Sequence, residues 1–239
     1  LSTVSSRFGT PASGRVAARE RVVYDDLVLE ERDVPAPLDE ETARILLDAA
    51  RADLPGALDL DGDVARLRER VAFLRRSMPE LDLPALDDEA LLGLLPGLVA
   101  GRRRLSDLRA IPLVPLLRDR LGARNVRLLD ANAPDSLPVP TGRRLPLRYG
   151  PDGPPVLAVK LQELFGLEGT PRVAAGRVPV LLHLLSPAGR PVQVTSDLAS
   201  FWSTTYAQVR KDLRARYPKH PWPEDPWTAP PTRGARRRR

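Results

Sequence analysis

The sequence predicts an α+β chain, because its hydrophobic rhythm changes three times along 239 residues. Period-two alternation over GRVAARERVVYDDLVLEERDVP gives way at Leu38 to helical spacing, which holds to Asp130. Extended runs resume after Ala133–Pro134, and one helix follows them. A third observation is the 26 prolines and 16 glycines, which argue against long uninterrupted helices.

Taken in order, Val16, Ala18 and the run Val22 to Leu29 read as two or three Val-rich strands, closed by Pro35 and Pro37. They are too few to bury both faces alone and leave a sheet edge open to association. Asp39 ahead of Glu40 and Glu41 gives the next helix an acidic first turn, favourable at the positive end of the helix dipole. After Asp61–Gly62, Val64, Leu67, Val71, Leu74 and Met78 form a core stripe at helical spacing, stopped by Pro79. Asp87 or Asp88 and then Ser106 are the expected caps of two further helices.

Beyond Pro134, LPVPTGRRLPLRY reads as two short extended runs around a Thr141–Gly142 turn, and VLAVKLQELFG as a strand entering a short helix. VPVLLHLLSPAGRPVQVT reads as a hairpin whose second strand carries Val192 and Val194 on one face. The last helix starts near Ser196–Asp197 and carries Leu198, Trp202, Val209, Leu213 and Tyr217 as its stripe, with Tyr206 beside it; Pro218 ends it.

Charge is unevenly placed. The net of +6 comes largely from the arginines of RGARRRR. Residues 24–63 hold thirteen acids against three bases, and residues 101–148 hold eleven arginines against four acids. Such a body can orient against a charged partner, or can simply carry two solvated faces of opposite sign. No apolar run approaches the ~18–20 residues that span a bilayer, and LSTVSSRFGTPASGR has no apolar signal region.

Catalytic chemistry has little to stand on. With no cysteine there is no thiol nucleophile, thiolate metal site or disulfide. No GxxxxGK[ST] loop is present to cradle a nucleotide phosphate, and no GxGxxG follows a strand. His183 and His220 lie 37 residues apart without supporting ligands, so no metal site is expected. His183, inside VPVLLHLLS, reads as a core imidazole; a hydrolase built on it lacks a GxSxG elbow. The carboxylate pairs Asp25–Asp26 and Glu30–Glu31 are expected in strands, pointing to opposite faces and unable to share a proton. No catalytic residue is assigned.

One stretch stands apart: FWSTTYAQVRKDLRARYPKHPWPEDP, in a region from Phe165 to Trp227 that holds seven of the eleven aromatics. Phe201, Trp202 and Tyr217 are expected in the core. Arg210, Lys211 and Arg214 lie off the apolar stripe, free to meet phosphate, and Trp222 between two prolines offers a stacking surface. With Lys219 these are the candidate nucleic-acid-binding residues. The alternative is a protein-docking module in which the proline–tryptophan segment recruits a partner.

The run TPRVAAGRVPVLLHLLSPAGRPVQVTSDLASFWSTTYAQVRKDLRARYPKHPWPEDP resembles the C-terminal region of the HrpB family of bacterial DEAH-box ATP-dependent RNA helicases, with support upstream from LAVKLQELFGL, RVAFLRR and YDDLVLEER. The resemblance covers about residues 15–227. It implies that residues 1–37 are the end of an OB-like β-domain. Residues 38–227 would be the family's C-terminal domain, helical over 38–133 and α+β over 134–227; the basic tail 228–239 goes beyond the family pattern and is expected to be disordered from its composition. The resemblance further implies a cytoplasmic auxiliary region that supports an upstream helicase core and contacts RNA or an unidentified protein partner, with no membrane. ATP and Mg would be bound by that core, and no position of this sequence matches the ATPase motifs.

Overall fold

The computed structural model describes residues 2–10, 14–25 and 27–234, and the chain divides into two compact units. The first comprises Leu1–Ala65 and Ala85–Arg120; the second comprises Arg66–Pro84 and Leu121–Arg239.

In the first unit, β1 (Ser2–Thr10), β2 (Arg15–Tyr24) and β3 (Leu27–Pro35) form an antiparallel meander. Strand β1 went unread in the sequence, because STVSSRFGT lacks a clean apolar alternation. Asp25 sits in the β2–β3 turn at φ +54° rather than in a strand, and Asp26 lies outside the described residues. Directly opposed residues of β2 and β3 pair by charge: Arg19–Asp33 at 2.7 Å, Arg21–Glu31 at 2.8 Å and Glu20–Arg32 at 2.9 Å. Val16 and Ala18 are buried where β2 begins. There the backbone joins the segment before a helix, through Val16 N–H to Arg103 O and Leu105 N–H to Gly14 O, both 2.8 Å.

Helix α1 (Glu40–Ala52) has the acidic first turn its sequence predicts, in Glu40 and Glu41, and Asp39 caps it, Oδ1 accepting from Thr42 N–H at 3.0 Å. It buries Thr42, Leu46 and Ala50. Asp53 caps α2 (Leu54–Ala57) through Gly56 N–H. Helix α3 (Asp63–Ser77) begins in this unit and continues into the other. Asp87 caps α4 (Asp88–Leu92), followed by α5 (Leu95–Val99). Ser106 is not a cap: α6 (Leu105–Arg109) starts one residue earlier, straight out of the Arg15–Arg104 bridge, without a side-chain cap. Helix α7 (Leu113–Asn132) is broken at Gly122, whose φ of +78° and ψ of +153° are open to glycine and strained for other residues.

The expected helical subdomain 38–133 is therefore not one body. Residues 66–77 of α3 and 121–132 of α7 belong with the sheet that follows. Arg70, 3% exposed, fixes them: its guanidinium donates to Ala133 O at 2.6 Å, Asp130 at 2.6 Å and Asp135 at 2.8 Å. The stripe Val64, Leu67, Val71, Leu74 and Met78 is buried throughout.

The second unit is built on a five-stranded sheet ordered β10-β9-β6-β5-β4: β4 (Ser136–Pro138), β5 (Arg144–Arg148), β6 (Val156–Lys160), β9 (Leu181–Leu185) and β10 (Pro191–Thr195). Strands β7 (Arg172–Val173) and β8 (Val178–Pro179) form a separate small ladder. Only the β6–β9 pairing is parallel, joined by a crossover through residues 161–180. Gly142, at φ +79°, makes the β4–β5 turn. Leu145, Leu147, Leu157, Val159, Leu182 and Leu184 supply buried side chains of the sheet.

Two expectations fail here. A register shift between Pro191 and Gln193 leaves Val192 half-buried and Val194 exposed, so no apolar face is buried on β10. His183 is half-buried rather than core, because alternation along β9 gives the buried face to Leu182 and Leu184.

Candidate nucleic-acid interface

The last helical segment holds the candidate residues. Asp197 opens it, accepting from Ser200 N–H at 2.9 Å at the start of α8 (Leu198–Ser200). A π-helical turn over Phe201–Thr205 then leads into α9 (Tyr206–Arg216). The wider turn shifts the buried stripe, so that Leu198, Phe201, Trp202, Tyr206 and Leu213 are buried while Val209 and Tyr217 are half-buried. Tyr206 is thus central rather than beside the stripe. It packs edge-on to Trp202, with ring centroids 5.2 Å apart, and to Phe165 at 6.1 Å. Trp202 Nε1 donates to Leu167 O at 2.9 Å and Tyr206 O–H to Pro223 O at 2.9 Å, so both buried polar tips are satisfied. Burial pushes the Tyr206 phenol well above its usual range.

The proline-rich segment after α9 packs back over this cluster. Trp222 is buried, its indole donating to Tyr217 O at 2.9 Å. Gly166 N–H donates to Pro226 O at 2.9 Å, and a Cβ at Gly166 would stand 3.4 Å from Ala229 O. Its φ of +81° makes the position doubly suited to glycine. Asp225 accepts from Thr228 O–H and Trp227 N–H, and these bonds, Thr228 first, hold its carboxyl below the ordinary value. Residues 232 and 233 of the basic tail make hydrogen bonds. Thr232 N–H donates to Gln162 O at 3.0 Å, and the Arg233 guanidinium to Thr141 O at 2.7 Å. The remaining tail, 235–239, lies outside the described residues.

The five candidates separate into two groups. Arg210 of α9 ties down the proline-rich segment, donating to Trp222 O at 3.0 Å and Glu224 at 2.8 Å, and Trp222 presents no open ring face. Lys211, Arg214 and Lys219 are exposed, the first two on the outer side of α9. His220 is half-buried between the Tyr217 and Trp222 rings at centroid distances of 6.2 and 6.5 Å. Its Nδ1 is buried without a hydrogen-bond partner, and burial, then Lys160, lowers its pKa. Sequence reasoning passed over Ser186, Arg190, Asp212 and Arg216, which the hairpin turn and α9 bring together around one cleft with Tyr217. They lie far apart in sequence and share no motif. Among the described residues, no group of three or more His, Asp or Glu side chains is placed to hold a metal ion, and no helix is long and apolar enough to cross a membrane.

Residues 94–226 match the family model HrpB_C, described as ATP-dependent helicase C-terminal. The chain belongs to the HrpB helicase C-terminal family. The ATP-dependent RNA helicase HrpB of Escherichia coli K12 is 38% identical over 227 residues, covering 93% of this chain and 28% of that protein. The crystal structure of the E. coli DExH-box NTPase HrpB superposes with a TM-score of 0.79 at 36% identity, covering 97% of this chain and 29% of that one. A second HrpB crystal structure, described as a DEAH/RHA helicase, gives 0.67 at 34% identity over 92% and 28%. The chain thus spans under a third of the relatives it matches. The mixed α/β architecture agrees with the HrpB C-terminal region.

Proposed function

We propose that this chain is the auxiliary C-terminal region of a cytoplasmic ATP-dependent RNA helicase, supporting the ATPase core and contacting single-stranded RNA. The observation that carries the RNA contact is the exposed pair Lys211 and Arg214 on a helix held by the strap from Tyr217 to Pro226. Lys219 extends the surface, while Arg210 and Trp222 position it. A basic face on an ordered helix meets phosphate without ordering itself first, so little binding energy is lost to entropy. ATP and Mg²⁺ fit the core of such an enzyme. The residues present here do not suit them, since the sequence has no phosphate-cradling loop.

A protein-docking role is the second reading. Tyr24, Leu27, Val28 and Leu29 are exposed together around the β2–β3 turn, an apolar tip suited to a protein surface and, in this reading, to the upstream core. Salt dependence separates the two readings. A labelled single-stranded RNA should bind the chain with an affinity that falls as salt rises. Reversing Lys211, Arg214 and Lys219 to glutamate should flatten that dependence by ~0.7 in log–log slope for each phosphate no longer neutralised. Absence of binding at low salt would remove the RNA contact and leave the docking role.

A further inference from the structure

The cleft between the β9–β10 turn and α9 lies on the other flank of the helix from Lys211 and Arg214. It measures about 230 Å³ and is lined by Ser186, Arg190, Val192, Asp212, Arg216 and Tyr217 among others. Asp212 and Arg216, four residues apart, share one helix face; Arg210 and Arg214 share another. The volume falls below the ~300–1,000 Å³ of a typical small-molecule site. It suits one unit of a longer chain better than a whole free ligand.

The lining chemistry is two-sided. Arg190 and Arg216 are exposed, and among the described residues neither guanidinium has a carboxylate partner. Ser186, 3% exposed, accepts from Arg190 N–H at 3.1 Å and from Tyr217 O–H at 3.4 Å. A hydroxyl has two lone pairs and one proton, so Ser186 keeps its proton to donate. Against these donors stands Asp212, whose Oδ1 accepts only from the exposed Gln208 amide at 3.2 Å. A bare anion would be repelled by that carboxylate. A ligand that is anionic at one end and presents N–H groups at the other satisfies both. Pro191 and Val192 with the Tyr217 ring add apolar surface for a flat group.

Among the RNA bases, guanine alone offers two adjacent donors, N1–H and the N2 amine, to a single carboxylate. Adenine and cytosine set one amine beside a ring-nitrogen acceptor, and uracil flanks its single N–H with two carbonyls. Building on the RNA reading above, we propose that this cleft binds one guanosine nucleotide of single-stranded RNA. Asp212 accepts from the base edge, and Arg190, Arg216 and the Ser186 hydroxyl hold the phosphate.

The test compares two labelled ten-nucleotide RNAs, one all uridine and one with a single central guanosine, binding the full chain by fluorescence anisotropy. The guanosine RNA should bind about tenfold tighter. Asp212→Asn should erase that preference, so that the two RNAs bind alike, and Arg190→Gln with Arg216→Gln should weaken both RNAs and lower the salt slope. These positions are exposed, and circular dichroism melts check that the variants fold. Equal affinity for the two RNAs, or a preference that survives Asp212→Asn, overturns the proposal. If RNA binding depends on Lys211, Arg214 and Lys219 but not on the cleft, the guanosine site fails and the RNA reading stands. If neither RNA binds at low salt, both fail.

Discussion

Arginines fasten the chain in two different ways, by exposed ion pairs and by bonds to main-chain carbonyls, and the first unit also holds one of the second kind, Arg103 Nε donating to Ala36 O. In the first unit, Arg19, Arg21 and Arg32 reach across the β2–β3 ladder to carboxylates, every partner in water. In the second, Arg70 and Arg210 bond a main-chain carbonyl as well as carboxylates, from buried or half-buried positions. A carboxylate in solvent moves with its side chain and is screened by ions, whereas a carbonyl fixes the backbone that carries it. The ladder therefore selects strand register, and the carbonyl-bound arginines hold separate segments of chain in place.

That contrast breaks first where burial is deepest. Trp202→Ala removes an aromatic that packs against three other rings and should cost about 3–5 kcal/mol in urea unfolding. All three tryptophans lie in the second unit, so their fluorescence follows that unit alone while circular dichroism follows both. A fluorescence midpoint unmoved by Trp202→Ala would count against the aromatic core. Arg70→Met comes next, at about 1–3 kcal/mol, because the Ala133 carbonyl loses its buried donor while Asp130 and Asp135 remain solvated. A loss confined to low salt would place Arg70 with the ladder arginines instead.

A smaller effect is expected at His220. Its folded pKa is depressed below the ordinary 6.5, so the unfolded chain takes up the proton first. Stability should be full above about pH 6.5, fall as pH drops toward the folded value, and then level off. The depressed carboxyls of Asp33, Glu80 and Asp225 act in a lower window, since their ordinary values are 3.8, 4.5 and 3.8. Each adds stability above that value which is lost as acid protonates the folded form. His220→Gln should remove the step below pH 6.5 and leave the acid step. A step that persists in His220→Gln assigns it elsewhere. Smallest of all, Arg21→Gln should shift the first unit's melting only at low salt, and circular dichroism in high salt should show no difference from the parent.

Local devices were legible from sequence: the acidic first turn after Asp39, the cap at Asp87, the helix start at Asp197, the stripe from Val64 to Met78, and the Thr141–Gly142 turn all depend on neighbours within a few residues. What escaped depends on distant partners. Ser106 failed as a cap because Arg104 pairs with Arg15, nearly ninety residues away. His183 reads as core from its apolar neighbours, yet the strand's alternation places it opposite them. Trp222 looked like a free stacking surface because nothing nearby predicts that its N–H finds Tyr217 O. The cleft around Ser186 and Arg216 was invisible for the same reason, being assembled by the hairpin and the last helix.

The chain crosses between its two units near residues 65, 84 and 120. No single cut in the gene can therefore deliver either unit alone: residues 1–120 hold the first unit whole but carry 66–84 of the second, and residues 66–239 hold the second whole but carry 85–120 of the first. A truncation product that keeps one unit whole also carries a stranded segment of the other, so a deletion series reports that unpartnered segment together with the part removed. Separating the units calls for splicing, with residue 65 joined to 85 in one product and 84 joined to 121 in the other.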